Sequence, residues 1–250
     1  MCYDLAYFTK KIEAYEKRFG VNYGESPIIP MYHANGFDHN EVPVITGHDP
    51  GVLQTFGWGL IPFFIKNLQA AAKIQNTTLN ARDYTLLKKP AFKGSAARRR
   101  CLVIVDAFYD HHWHQGKSYP YLIKMQNDEA FAIGGIWEKW KFEDQVRYTF
   151  AIVTTDPNPM MAHIHNEPKA SETPRMPFIV PRHLESKWIS VDLPEDEIFP
   201  LIGPYPEEEM KSYTVSRLRG KAYPGNVPEI MNEVVYAGLS SDEGKQGSLF

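Results

Sequence analysis

The chain has 250 residues, 43% hydrophobic and 23% charged, a globular balance with apolar mass for one sizeable core or two small ones. No apolar run approaches the roughly 20 residues that span a bilayer, which argues against a membrane protein. Two cysteines, Cys2 and Cys101, make no disulfide framework, and a net charge of −3 argues against non-specific nucleic-acid binding by the chain as a whole.

The N-terminus is the first informative stretch. Met1-Cys2 has no apolar run beside it, so Cys2 is neither a secretion nor a lipoprotein cysteine, and the cytosol is the default location. Removal of Met1 exposes a free α-amine and a thiol on adjacent carbons. Such a 1,2-aminothiol condenses with an aldehyde to an imine, and the thiol then closes a five-membered thiazolidine. The amine ordinarily titrates at about 7.7–8.0, so much of it is neutral and nucleophilic near neutral pH.

Farther along, Tyr7 to Phe19 reads as a helix with Ile12, Tyr15 and Phe19 on one face and Gly20 as its C-cap. Residues 24–40 read as irregular. Val42 to Thr46 and Val52 to Leu60 read as strands around the turn Gly47 to Gly51, with a short helix over Ile65 to Lys73. Cys101 to Tyr109 predicts one buried strand that keeps Cys101 as a core thiol. Tyr119 to Met125, Ala130 to Trp137 and Tyr148 to Thr154 follow as hairpin-linked strands, and Asp156 to Pro159 opens a helix through His163. Met176 to Val180 reads as a strand, His183 to Ile189 and Glu195 to Leu201 as short helices, and Ser212 to Ser216 as a late strand. Consecutive strands with peripheral helices indicate an α+β fold, a single domain over residues 1–237 with a largely antiparallel, barrel-like sheet core. Residues 238–250 have no apolar periodicity and read as a disordered tail.

Charge is unevenly placed. Ile61 to Met125 carries eleven Lys/Arg and three Asp, net +8, leaving −11 for the remainder. A basic block in an acidic protein suggests one face for an anionic partner.

Five stretches now stand in order: Met1-Cys2; Trp58-Gly59-Leu60-Ile61-Pro62; Asn80-Ala81-Arg82; Arg99-Arg100-Cys101-Leu102 running to Phe108-Tyr109-Asp110; and Ile164-His165 with Arg175-Met176-Pro177. Together they resemble the SRAP family, proteins that crosslink to abasic sites in single-stranded DNA, over about residues 1 to 190. The resemblance implies that the Cys2 amine attacks the C1′ aldehyde of the opened sugar and the thiol closes the ring. By motif position it implies Asp110 and His165 as the proton-moving pair and Asn80 as a holder of the amine or sugar. Arg82 becomes a phosphate clamp, Trp58 a base-stacking face, and Arg99 and Arg100 further DNA contacts. It also implies self-removal of Met1, a peptidase or lyase label, no metal or cofactor, and a place at the nucleoid or replication fork.

Departures from the family pattern are specific. Asp110 stands where Glu is usual, one methylene shorter. Tyr3-Asp4 replaces Gly-Arg, and Tyr84 replaces the Glu two positions after the Asn-Ala-Arg motif. Nine residues, Asn166 to Pro174, separate Ile164-His165 from Arg175-Met176-Pro177 where one is typical.

Two other function classes fit the same residues. One is a cysteine peptidase on Cys2, His165 and Asp110; the other is a single-stranded-DNA-binding module without chemistry. The cluster Asp110-His111-His112-Trp113-His114 lacks metal-ligand spacing, because successive strand residues face opposite ways. The tail ends in Gln246-Gly247-Ser248-Leu249-Phe250, which resembles the peptides by which bacterial repair proteins hold the sliding clamp, with Gln246, Leu249 and Phe250 as the contacts.

Overall fold

The structure is a computed structural model that describes residues 2–7, 12–23, 29–167 and 173–239. The chain opens with strand β1 (Asp4–Tyr7), helix α1 (Ile12–Phe19), β2 (Asn22–Tyr23) and β3 (Met31–Asn35). The hairpin β4 (Glu41–Thr46) and β5 (Asp49–Trp58) follows, then α2 (Leu68–Gln75), β6 (Asn80–Arg82), α3 (Asp83–Leu86) and α4 (Pro90–Arg98). The central strands are β7 (Arg100–Val105), β8 (Ala107–His114), β9 (Lys117–Met125), β10 (Phe131–Phe142) and β11 (Gln145–Thr155). Helix α5 (Pro159–Ile164), β12 (Met176–Pro177), α6 (Glu185–Ile189), α7 (Glu195–Ile198) and β13 (Met210–Thr214) complete the order.

Five strands close a barrel. β11, β10, β7, β4 and β5 hydrogen-bond in that order as antiparallel neighbours, and β5 returns to β11 in parallel, Thr149 opposite Gly57 and Phe150 opposite Trp58. Closure removes the strand edges, and the apolar runs that the sequence concentrates in β4, β7 and β10 become core. Val44, Val103, Ile104, Phe150 and Ile152 are fully buried, and so is the free thiol of Cys101. Gly135 lets that thiol approach: a Cβ there would lie 2.9 Å from Cys101 Sγ.

A second, wholly antiparallel sheet runs β13-β9-β8-β1-β3. The chain crosses from barrel to sheet at Asp106, whose amide donates to the Ala6 carbonyl (2.9 Å) and whose carboxylate accepts from the Tyr15 hydroxyl. The expected strand Cys101 to Tyr109 is therefore two strands in different sheets. Tyr7 is corrected likewise: it ends β1, and the described helix begins at Ile12. Pairing on both sides, with Tyr109 and Asn35 opposite Asp4, holds β1 extended, a tertiary constraint that local periodicity does not carry. The α+β class and the single domain with a barrel core hold. The tail residues Gln246, Leu249 and Phe250 lie outside the described residues.

Candidate active site

Cys2 lies two residues before β1, and the register that puts Asp4 opposite Tyr109 runs the chain back past Asp110 of β8, whose carboxylate lies within electrostatic reach of Cys2. Its side chain is 2% exposed, and its thiol donates to the Asp4 carbonyl (3.8 Å). Burial pushes the thiol well above its usual range, and the nearby Asp110 and Asp4 carboxylates push the same way. Asn80 holds the backbone at this point, Nδ2 donating to the Cys2 carbonyl at 2.9 Å. The other end of that amide, Oδ1, is a buried acceptor with no partner among the described residues.

Asn80 is positioned by the barrel. β6 lies parallel to β11, with Asn80 opposite Ile152 and Arg82 opposite Thr154. Trp58 secures the residue before it: the indole donates to the Leu79 carbonyl (2.9 Å) and stacks 6.2 Å from Phe150. Gly59, at φ +110°, turns the chain where a Cβ would lie 2.8 Å from the Gln75 carbonyl oxygen. Trp58 is fully buried, so it offers no face to a nucleotide; its stacking role is corrected to support of the Asn80 segment.

His165 caps the opposite side. Asn158 and Pro159 start α5, the Asn158 side chain accepting from the Met161 amide, and the helix ends as the His165 amide donates to the Met161 carbonyl (2.8 Å). Asn166 then clasps β8, accepting from the Trp113 amide (2.6 Å) and donating to its carbonyl (3.0 Å). The His165 imidazole reaches Asp110 through Nδ1, 2.9 and 3.0 Å from the two carboxylate oxygens. Burial opposes the charge on Asp110, but the His165 hydrogen bond, the positive charge of the N-terminus, the His165 charge and, last, the His111 amide (2.7 Å) together outweigh it, so the carboxyl lies below its usual range. The shorter Asp thus reaches the imidazole despite the missing methylene.

A pair of guanidinium groups lies at the same end of β11. β12 joins that strand with Met176 opposite Thr155, which brings Arg175 beside Arg82. Both are 7% exposed. Burial lowers Arg175, and the Arg82 charge lowers it further. Arg82 pairs with Asp156 (2.6 Å) and Asp83 (3.3 Å), yet, unlike the other candidate arginines, it keeps a buried Nη1 without a partner among the described residues. Arg175, in the Arg-Met-Pro motif, was not assigned a role from sequence; only the pairing of β12 reveals it.

Three aromatic rings border this group. Tyr3 packs on Phe37 with ring centroids 5.1 Å apart, and its hydroxyl is raised first by burial and modulated by Arg175, Cys2 and Asp110. Tyr84 lies over the Arg82 guanidinium at 5.1 Å. Asp4, noted above as a departure from the family pattern, turns inward to His33 (2.9 Å) and Arg219 (2.9 Å). The remaining sequence candidates lie apart. Arg100 is 1% exposed and donates to the carbonyls of Trp188 (2.7 Å), Ala96 (2.7 Å), Ala97 (2.9 Å) and Ser190, so it is a structural cation, not a DNA contact. Arg99 is neutralised by Glu138 at 2.6 Å. Among the described residues no group of three His, Cys, Asp or Glu could hold a metal ion, and no helix is long and apolar enough to cross a membrane.

Comparison with known proteins decides the family. Residues 1–222 match the family described as SOS response associated peptidase (SRAP). The chain belongs to the SRAP family. It is 32% identical over 195 residues to the abasic site processing protein YoqW of Bacillus subtilis (strain 168), covering 77% of this chain and 81% of that one. The abasic site processing protein HMCES of Gallus gallus is 28% identical over 176 residues, 61% of this chain and half of the other. Among solved structures, a protein from Bacteroides thetaiotaomicron superposes with a TM-score of 0.84 at 30% identity, over 94% of this chain and all of that one.

Proposed function

We propose that this protein processes abasic sites in single-stranded DNA by covalent capture at Cys2. The observation that carries the reading is Asn80. It fixes the Cys2 carbonyl with one end of its amide and leaves the other, Oδ1, as a buried acceptor. An acceptor beside the Cys2 backbone suits the N–H of an α-amine freed by loss of Met1, and a buried acceptor left unpaired is costly.

The chemistry balances on the residues present. The neutral amine adds to the C1′ aldehyde to give a carbinolamine. A proton delivered to its hydroxyl releases water, and return of the nitrogen's proton to the same donor leaves the imine. The thiol adds across the C=N bond, forming C–S, and its proton passes to nitrogen to give the thiazolidine. The His165–Asp110 pair is suited to moving those protons, with the carboxylate stabilising the imidazolium. A thiol kept neutral suits a step in which it adds last, and it disfavours a peptidase that needs a resting thiolate.

DNA binding follows the guanidinium pair. Arg82 and Arg175 suit phosphates on the captured strand, and the exposed Lys88, Lys89, Lys93 and Arg98 of the α3–α4 region extend the positive surface. The tail peptide Gln246 to Phe250 is proposed as a tether to the bacterial sliding clamp, Leu249 and Phe250 filling an apolar pocket.

The test is denaturing electrophoresis with a labelled abasic oligonucleotide. Wild type should give a heat-stable adduct. Cys2→Ser, which keeps the amine, should give only an imine that borohydride must trap. An equally heat-stable Cys2→Ser adduct would exclude the thiazolidine.

A further inference from the structure

Most large rings in this fold serve the core, as Trp58, Trp140 and Trp188 do at 0% exposure. Phe37 and Tyr84 do not: they are 45% and 58% exposed, although each stands beside the buried catalytic group. Phe37 lies in the 3₁₀ turn Gly36–Asp38, which the Tyr3 carbonyl anchors by accepting from the Gly36 amide at 2.7 Å. Tyr3 then packs its ring on Phe37. Tyr84 is the second residue of α3, two positions after Arg82, and rests on that guanidinium. Arg175 lies within electrostatic reach of both Tyr3 and Tyr84, as it does of Arg82.

We propose that Tyr84 and the Tyr3–Phe37 pair form a base-stacking subsite beside Arg82 and Arg175, taking the unpaired bases that flank the captured sugar. The subsite deepens the covalent-capture reading and rests on it for the position of the sugar. Cations that track a backbone, interleaved with rings that accept base faces, are the composition of grooves for single-stranded nucleic acid. A base flanking an abasic position has lost a stacking neighbour, and an exposed ring restores one. An apolar peptide would have no use for the two guanidinium groups, which favours a polyanion.

The experiment measures equilibrium binding of a single-stranded oligonucleotide carrying one tetrahydrofuran residue, an abasic analogue with no aldehyde, flanked by 2-aminopurine. Phe37→Ala and Tyr84→Ala should each weaken binding by about five- to thirtyfold and reduce the fluorescence change of the neighbouring 2-aminopurine. Tyr84→Phe should bind like wild type, because the ring and not the hydroxyl stacks. The slope of log Kd against log salt should stay unchanged, since no charge is lost. Binding within twofold of wild type in both alanine variants, or a Tyr84→Phe variant as weak as Tyr84→Ala, overturns the proposal. A parallel reaction with a true abasic site separates the two readings. Adduct formation with ring-independent binding removes the subsite alone; ring-dependent binding without adduct removes covalent capture alone.

Discussion

Asp110 and His165, 55 residues apart in sequence, meet at 2.9 Å because the end of α5 is clasped to β8 by Asn166 and Trp113. The imidazole is therefore oriented by a carboxylate held on a strand.

That relationship sets the first prediction. Asp110→Asn keeps the shape and removes the charge, so the crosslinking rate should fall by about 10²–10⁴-fold, the usual contribution of positioned acid–base groups. His165→Gln should fall as far, and the double variant little farther, because the two act as one unit. Additive losses in the double variant would separate their roles. Single-turnover kinetics measures both.

The same pair ties stability to pH. The Asp110 carboxyl lies below its usual range in the folded chain, so folding favours the ionised form. The stabilisation is present above the unfolded value of about 3.9 and is lost as pH falls through the lower folded value. Urea melts of wild type and Asp110→Asn should diverge above about pH 4 and converge as acid is added. Curves that converge instead toward neutral pH contradict the assignment.

Cys2 should react unlike an ordinary thiol. Its burial disfavours the thiolate, so alkylation by iodoacetamide at pH 8 should be much slower in the folded protein than after unfolding. Crosslinking should rise with pH through the amine range of about 7.7–8.0 and then level off. A rate that keeps climbing through pH 9 would point to the thiolate as the attacking group.

The two kinds of arginine should separate experimentally. Arg82→Ala should weaken binding to every single-stranded sequence and lower the salt slope by about 0.7. Arg100→Ala strips donors from four carbonyls and should cost stability by more than about 2 kcal/mol, with the salt slope unchanged. Thermal unfolding and salt titration together distinguish the outcomes.

Deletion of Gln246 to Phe250 should abolish capture of the sliding clamp by the tail without changing the crosslinking rate. Undiminished clamp pull-down would remove the tether from the account.

The sequence carried the barrel well where burial is two-sided: the runs at Val42 to Thr46, Cys101 to Val105 and Tyr148 to Thr154 are strands because their apolar residues have no other place to go. It failed where pairing partners are distant. Tyr7 looked helical because the extension of β1 depends on β3 and β8, and β6 is three residues whose strand partner among the described residues is β11. Motif order brought out Cys2, Asn80, Asp110 and His165, which the fold gathers. It misassigned Trp58 and Arg100, since an aromatic or a cation in a motif does not reveal which way it faces. Phe37 gave no signal of its own, and Arg175 and Tyr84 gave only a position in or beside a motif, because their surroundings are set by the register of β12 with β11 and by surface exposure.

Intact-mass measurement of the protein after incubation with a single-stranded oligonucleotide bearing one abasic site tests covalent capture most directly. The account predicts a species equal to the chain without Met1 plus the oligonucleotide minus one water, stable to heat and absent for Cys2→Ala. A protein that has lost Met1 yet yields no such species, or a Cys2→Ala variant that yields one, contradicts it.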